Sequence, residues 1–142
     1  MVSILGKDFA LYSHLLIGIL LIVLPIIILF KIASKNYPRI KSYSLITAIL
    51  SWLLLFTGGR LYLIFYPATK TLIKAGSRPW VHEILMETKE HWGLLLPLIA
   101  TTAAILIYSN KLKESKKWWQ LLIIISTLLG IMGWIISNRG AA

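Results

Sequence analysis

Four long apolar segments constrain the fold of this chain more than any other feature of its sequence. They cover roughly residues 10–30, 44–66, 79–108 and 118–137, and each is about long enough to cross ~30 Å of hydrocarbon as a helix. Because 58% of the 142 residues are hydrophobic, a soluble domain of this size could not bury the apolar surface. The pattern predicts an all-α integral membrane protein, with residues 1–142 forming a single four-helix transmembrane bundle.

Basic residues are concentrated in the short connections between these segments. The first connection carries Lys31, Lys35, Arg39 and Lys41, and the third carries four lysines within residues 111–117. The positive-inside rule places such loops in the cytoplasm, so we expect a multi-pass protein of the cell membrane with both termini outside. The net charge of +10 then reflects topology, and the expected partner of the loops is the lipid bilayer and not a nucleic acid.

The chain contains no cysteine. Disulfides, thiolate metal ligands and covalently attached c-type haem are therefore excluded. The sequence also lacks a glycine-rich phosphate loop, a nucleophile elbow and a zinc-protease motif, so no catalytic residue is predicted. Any metal or haem must be held by histidine, carboxylate or methionine side chains.

Three ionisable residues lie at one depth on three different segments. His14, Arg60 and His91 are each 16 or 17 residues from the end of their segment that adjoins a basic loop. At 1.5 Å per residue, each lies about 25 Å from that face, just below the opposite surface. Because ionisable groups are costly inside a membrane, a cluster at common depth predicts a functional site.

Two histidines at matching depth on separate helices fit the axial ligation of a haem b. Such an iron takes an imidazole from each side, which predicts His14 and His91 as its ligands. Gly58 and Gly59 leave room for a flat macrocycle between helices, and Arg60 offers a positive charge for the haem propionates. The sequence therefore predicts a haem site near the outer surface.

In these features the chain resembles the small four-helix membrane b-type cytochromes. The resemblance rests on His14 with Gly18, on the helix end Gly58-Gly59-Arg60, and on the run Glu90-His91-Trp92-Gly93. It implies a haem-b electron-transfer subunit that works with a quinone and a respiratory partner protein. Many members of that group hold two haems, whereas the three histidines of this chain suffice for one bis-histidine haem.

An alternative metal site involves His82 and the glutamates near it. His82 lies nine residues before His91, about 13.5 Å along a helix. We therefore expect His82 in water or at a headgroup, too far out to share an iron with His14. Glu87 and His91, at i and i+4, could instead ligate zinc, copper or non-haem iron, together with His14 and with Glu83 or His82.

A third interpretation needs no cofactor. The polar residues could contact other membrane protein subunits, in which case the chain is a non-catalytic accessory subunit of a larger membrane enzyme complex. Arg60, close to the end of its segment, can then extend its charge to the lipid headgroups. A complete proton path across the membrane is not predicted, because the first three segments offer only Ser, Thr and Trp52 further in.

Overall fold

The structure is a computed structural model that describes residues 4–139. All of its regular elements in this range are helical, which confirms the all-α class. Four stretches are long and apolar enough to cross a membrane: Gly6–Ala33, Ile40–Ala75, Val81–Tyr108 and Leu112–Asn138. The α-helices are α1 (Ile4–Ala33), α2 (Ile40–Arg60), α3 (Tyr66–Ala75), α4 (Glu87–Gly93), α5 (Leu95–Tyr108) and α6 (Leu112–Arg139), and two π-helical segments lie at Leu61–Phe65 and Val81–Met86.

The four long stretches form a ring in which each packs against two others. Helix α1 contacts α2 and α6, and α5 contacts the same two helices. The short connections at residues 34–39 and 109–111 make consecutive helices antiparallel neighbours, as short loops do in helical bundles. The arrangement is therefore an up-and-down four-helix bundle.

The main apolar core occupies the half of the bundle next to the basic loops. Leu21 of α1, Ala100 of α5 and Trp119 of α6 are fully buried there. Small residues such as Ala100 allow neighbouring helices to approach closely. A smaller apolar cluster, which includes Tyr66 and Ile73, lies at the other end. The space between the two clusters is where polar side chains enter the bundle.

Two prolines have different effects on the helices that contain them. The second stretch does not end at Tyr66 as expected, but continues as α3 through Pro67 to Ala75. Pro67 lies in the first turn of α3, where its fixed φ of about −65° suits the helical backbone. Pro97 lies inside the third stretch and cannot bond to the carbonyl four residues earlier. The helix is accordingly interrupted at Leu94, between α4 and α5.

Two π-helical segments lie on either side of the connection between the second and third stretches. Leu61–Phe65 precedes α3, and Val81–Met86 precedes α4. In a π-helix the backbone hydrogen bonds join residues i and i+5. Such turns are rare in proteins, but those that occur are often found at functional sites. Both segments lie in the half of the bundle away from the basic loops. The two segments carry Tyr62 and His82, respectively.

Candidate functional site

Polar side chains gather in the half of the bundle that carries the two π-helical segments. We call this group the polar cluster. Its members come from the first three helical stretches, and α6 closes one side of it through Gly133. The members are His14, Thr57, Tyr62, Tyr66, His82, Glu87, Lys89 and Glu90.

His82 contacts two other members of the polar cluster through its two ring nitrogens. The Tyr66 hydroxyl oxygen lies 3.1 Å from Nδ1, and Glu87 Oε1 lies 3.3 Å from Nε2. His82 is only 2% exposed, whereas the Glu87 side chain is 39% exposed. The three residues form a line of contacts from a buried phenol to a carboxylate at the surface.

This burial contradicts the expectation that the His82 side chain is surrounded by water, whereas its depth at the lipid headgroups stays a prediction. In an α-helix, residues i and i+5 point in different directions, because 3.6 residues complete a turn. A π-helical turn pairs residues i and i+5, and so it brings His82 to Glu87. An analysis based on a 3.6-residue period misses this pairing. The remaining sequence signal is that Tyr66, His82 and Glu87 all lie close to one chain reversal.

The chemistry of the two partners fixes the protons on the His82 ring. An ionised carboxylate only accepts hydrogen bonds, so Nε2–H donates to Glu87. In the neutral imidazole the other nitrogen is then an acceptor, and it accepts the hydroxyl proton of Tyr66. This arrangement can pass a proton from the phenol to the carboxylate through the imidazole.

Tyr62 extends the polar cluster along the first π-helical segment. Its ring stacks on that of Tyr66, with centroids 5.5 Å apart and an interplanar angle of 20°. The Tyr62 hydroxyl interacts electrostatically with Glu90, whose side chain is exposed. A second polar contact therefore connects the cluster to the surface.

His14 lies between α1 and α2. Its Nδ1 is 3.1 Å from the Thr57 hydroxyl oxygen, and that hydroxyl donates to the Leu54 carbonyl at 3.1 Å, so the imidazole N–H is the donor. A β-carbon at Gly58 would lie 3.1 Å from His14 Cε1. The gap predicted for a macrocycle at Gly58 is therefore filled by the His14 ring. A β-carbon at Gly59 would meet no other described atom within 4 Å.

Lys89 points into the bundle. A β-carbon at Gly133 would lie 3.1 Å from Lys89 Cε, and the ammonium group is close enough to His14 for electrostatic interaction. Among the described residues, no carboxylate lies within 4 Å of this ammonium group. The sequence does carry a signal for this position. The buried stripe of α5 includes Ala100 and Leu96, and further steps of three or four residues lead to Lys89.

His91 lies on the exposed surface of α4. Its Nδ1 donates to the Glu87 carbonyl oxygen at 2.7 Å, and the side chain is exposed. Two residues correspond to about 200° of rotation around a helix. His91 therefore faces away from the side that Lys89 presents to His14. The structure brings Lys89 and not His91 next to His14, and ligation of one iron by both histidines stays a prediction.

The three imidazoles differ in the nitrogen that remains available to a metal. His14 and His91 each make a contact through Nδ1, and His14 also interacts with the Leu54 backbone. His82 uses both nitrogens. Metal-ligating imidazoles commonly donate their second N–H to a protein oxygen. An Nδ1 contact of this kind is compatible with ligation through Nε2 at His14 and His91, whereas both nitrogens of His82 already contact Tyr66 and Glu87.

The other predicted site residues lie apart from this line of contacts. Arg60 and Glu83 are exposed, and neither makes an ion pair with another described residue. Within residues 4–139, no three His, Asp or Glu side chains are grouped so that they could hold a metal ion. The zinc, copper or non-haem iron site at Glu83, Glu87 and His82 therefore stays a prediction, and no group of three ligands among the described residues supports it.

Among known proteins, the chain matches no family model, no curated protein and no solved structure.

Proposed function

We propose that this chain is a multi-pass protein of the cell membrane with both termini outside. Four helical stretches have the length and apolar composition that a crossing requires. Phe30, Phe56 and Leu63 are each more than 70% exposed, and many other outward positions are apolar as well. Lipid stabilises such a surface, whereas in water it promotes aggregation. The basic loops at residues 31–41 and 111–117 support the cytoplasmic side for that end.

We propose that the protein is an electron-transfer subunit that oxidises a quinol, and that Tyr66, His82 and Glu87 carry the released protons to the outer surface. The observation that supports this proposal is the two-sided contact of His82, a buried imidazole between a phenol and a carboxylate. Histidine suits such a role because its unperturbed pKa lies close to neutral pH. The two π-helical segments support it further, since they position Tyr62 beside Tyr66 and His82 beside Glu87.

The proton transfer follows the contacts in order. The Tyr66 hydroxyl gives its proton to Nδ1 of His82, and Nε2 of the same ring gives its proton to Glu87. Glu87, which is partly exposed, releases the proton to water. A quinol hydroxyl then restores the Tyr66 proton. Oxidation of one quinol releases two protons and two electrons, and both electrons pass to the redox partner. After the first passage the His82 ring carries its proton on Nδ1, so it must return to the Nε2–H form before the second proton follows the same contacts.

A comparison of two tyrosine variants tests this function. The tagged protein is purified from its native membranes together with bound partners, and oxidation of a soluble quinol analogue is followed optically with a chemical electron acceptor. Tyr66→Phe removes the transferable proton and keeps the ring. We expect the rate to fall by about 10²-fold, as is typical when a general acid–base group is lost.

Tyr12→Phe is the matched control, because the Tyr12 side chain is 68% exposed and the chemical change is identical. We expect its rate to stay within about two-fold of wild type, since ordinary acid–base effects are far larger. Equal rates for the two variants would show that Tyr66 transfers no proton. A wild-type preparation that oxidises no quinol would refute the function itself.

The second candidate is a non-catalytic accessory subunit of a larger membrane enzyme complex. The observation that favours it is the outward direction of His91, next to the exposed Trp92. Ionisable side chains within spans normally face protein or water and not lipid. A neighbouring subunit on this face would cover His91 and offer a hydrogen-bond donor to Nε2, which is an acceptor when Nδ1 carries the proton. Co-purification of other chains with a preparation inactive towards quinol would support this role.

A further inference from the structure

A cleft opens at the end of the bundle that carries the basic loops. Its wall is apolar and consists of Ile40 from α2, Ile107 from α5 and Leu112 from α6. The volume of about 290 Å³ is near the lower end for small-molecule sites, roughly 300 Å³. The cleft is therefore large enough for a headgroup and too small to enclose a whole lipid.

Polar and cationic groups line the mouth of the cleft. Arg39 and Lys41 approach from the beginning of α2, and Tyr37 and Asn110 complete this side. The Lys41 Nζ lies 5.6 Å from the centre of the Tyr108 ring, and Tyr108 follows the cleft residue Ile107 in the chain. A cation over an aromatic face is attracted by the ring quadrupole. One of the two cations of the cleft is thus held in position by the fold.

The surrounding charge is strongly positive. Eight lysines and arginines lie within residues 31–41 and 111–117, against the single acid Glu114, which gives a net charge of +7 for these two loops. Glu114 is paired with Lys111 at 4.0 Å on the exposed surface. The cations that line the cleft, Arg39 and Lys41, have no carboxylate within 4 Å in the described part of the chain. They are free to balance the charge of an anion.

The backbone at the cleft takes an uncommon shape. Arg39 and Asn110 both have φ of 60°, in the left-handed region that residues other than glycine rarely adopt. Asparagine tolerates this region better than arginine does. The left-handed Arg39 immediately precedes α2, and the chain reverses sharply there. Arg39 and Asn110, the two residues with this backbone shape, both line the cleft.

We propose that this cleft binds the phosphate-bearing headgroup of an anionic phospholipid from the cytoplasmic leaflet. Arg39 and Lys41 contact the phosphate, and the glycerol and upper acyl carbons lie on Ile40, Ile107 and Leu112. The combination of an apolar wall and unpaired cations fits an amphiphile better than a free inorganic anion, which gains nothing from the apolar side. The proposal rests on the proposed membrane placement and is independent of proton transfer at the opposite end.

Native mass spectrometry of the full-length protein in mild detergent tests the proposal. The probes are phosphatidylglycerol, phosphatidylcholine and inorganic phosphate. We expect one phosphatidylglycerol per chain to be retained in preference to phosphatidylcholine. For the double variant Arg39→Gln/Lys41→Gln we expect about 25-fold weaker binding, or about five-fold for each removed charge. That factor is the equivalent of about 1 kcal/mol per Lys or Arg at a membrane surface.

Lys70→Gln/Lys74→Gln is the matched control, because it removes the same charge at the opposite end, in α3. We expect this variant to bind phosphatidylglycerol as wild type does. Equal losses in the two double variants would refute the cleft as the site, as would equal retention of the two lipids. Saturation by millimolar inorganic phosphate that displaces the lipid would show a phosphate site and overturn the lipid as occupant. Quinol oxidation is measured in the same variants, so that loss of lipid binding at the cleft and loss of the proposed quinol oxidation are observed separately.

Discussion

The contact of His14 with Gly58 allows a stability prediction at neighbouring positions. A β-carbon at Gly58 would lie 3.1 Å from Cε1 and 3.4 Å from Nδ1 of His14, whereas one at Gly59 meets no other described atom within 4 Å. At 3.1 Å the ring must move by a few tenths of an ångström. That movement lengthens the 3.1 Å bond to Thr57, which is already near the upper end of hydrogen-bond distances.

The two substitutions therefore differ in one interaction. Replacing a glycine by alanine inside a helix favours the folded state by about 0.5–1 kcal/mol through helix propensity. Gly59→Ala should show this gain in full. Gly58→Ala should lose in addition an interhelical hydrogen bond, which in membrane proteins contributes about 0.6 kcal/mol and at most about 1.7. We expect Gly58→Ala to be less stable than Gly59→Ala by an amount in that range.

Equilibrium unfolding in mixed micelles with increasing denaturing detergent, followed by circular dichroism, measures this difference. Repeating both substitutions in a Thr57→Val background supplies the control, because the hydrogen bond is then already absent and neighbouring mutations reveal their coupling. We expect the difference between the two alanine variants to shrink in that background. An undiminished difference, or none at all in the wild-type background, would refute the assigned contact between His14 and Thr57.

Two further predictions concern the cofactor and the orientation. If the preparation shows b-type haem bands in a reduced-minus-oxidised spectrum, His14→Ala and His91→Ala should each abolish them. His82→Ala should retain the bands, because His82 contacts Tyr66 and Glu87 instead. Bands that survive His91→Ala would overturn the ligand assignment. Since the chain has no cysteine, single cysteines report topology directly, and a membrane-impermeant thiol reagent applied to intact cells should label position 74 and not position 35. Labelling of Lys35→Cys alone would reverse the orientation.

The sequence was sufficient for the helices and insufficient for the contacts between them. Apolar segments of spanning length predicted the four-helix arrangement, because burial of such segments leaves few alternatives. Counting along the segments also predicts one depth for His14 and His91, which stays a prediction. The directions of the two side chains could not be predicted in this way, because a residue count does not give the rotation of a helix about its axis. In the structure Lys89, and not His91, points into the bundle. The His82–Glu87 pair depends on a π-helical turn, whose i to i+5 spacing has no mark in residue types.

The length of the second helical stretch has a mechanical consequence. Ile40–Ala75 contains 36 residues, about 54 Å of helix, against ~30 Å of hydrocarbon. If the stretch enters the bilayer near Ile40, its last ~24 Å extend beyond the hydrocarbon. The π-helical segment Leu61–Phe65 lies where the helix leaves the hydrocarbon, and Lys70 and Lys74 lie near the far tip. Because the stretch is one continuous helical rod, a displacement of its tip would also tilt the turn that carries Tyr62.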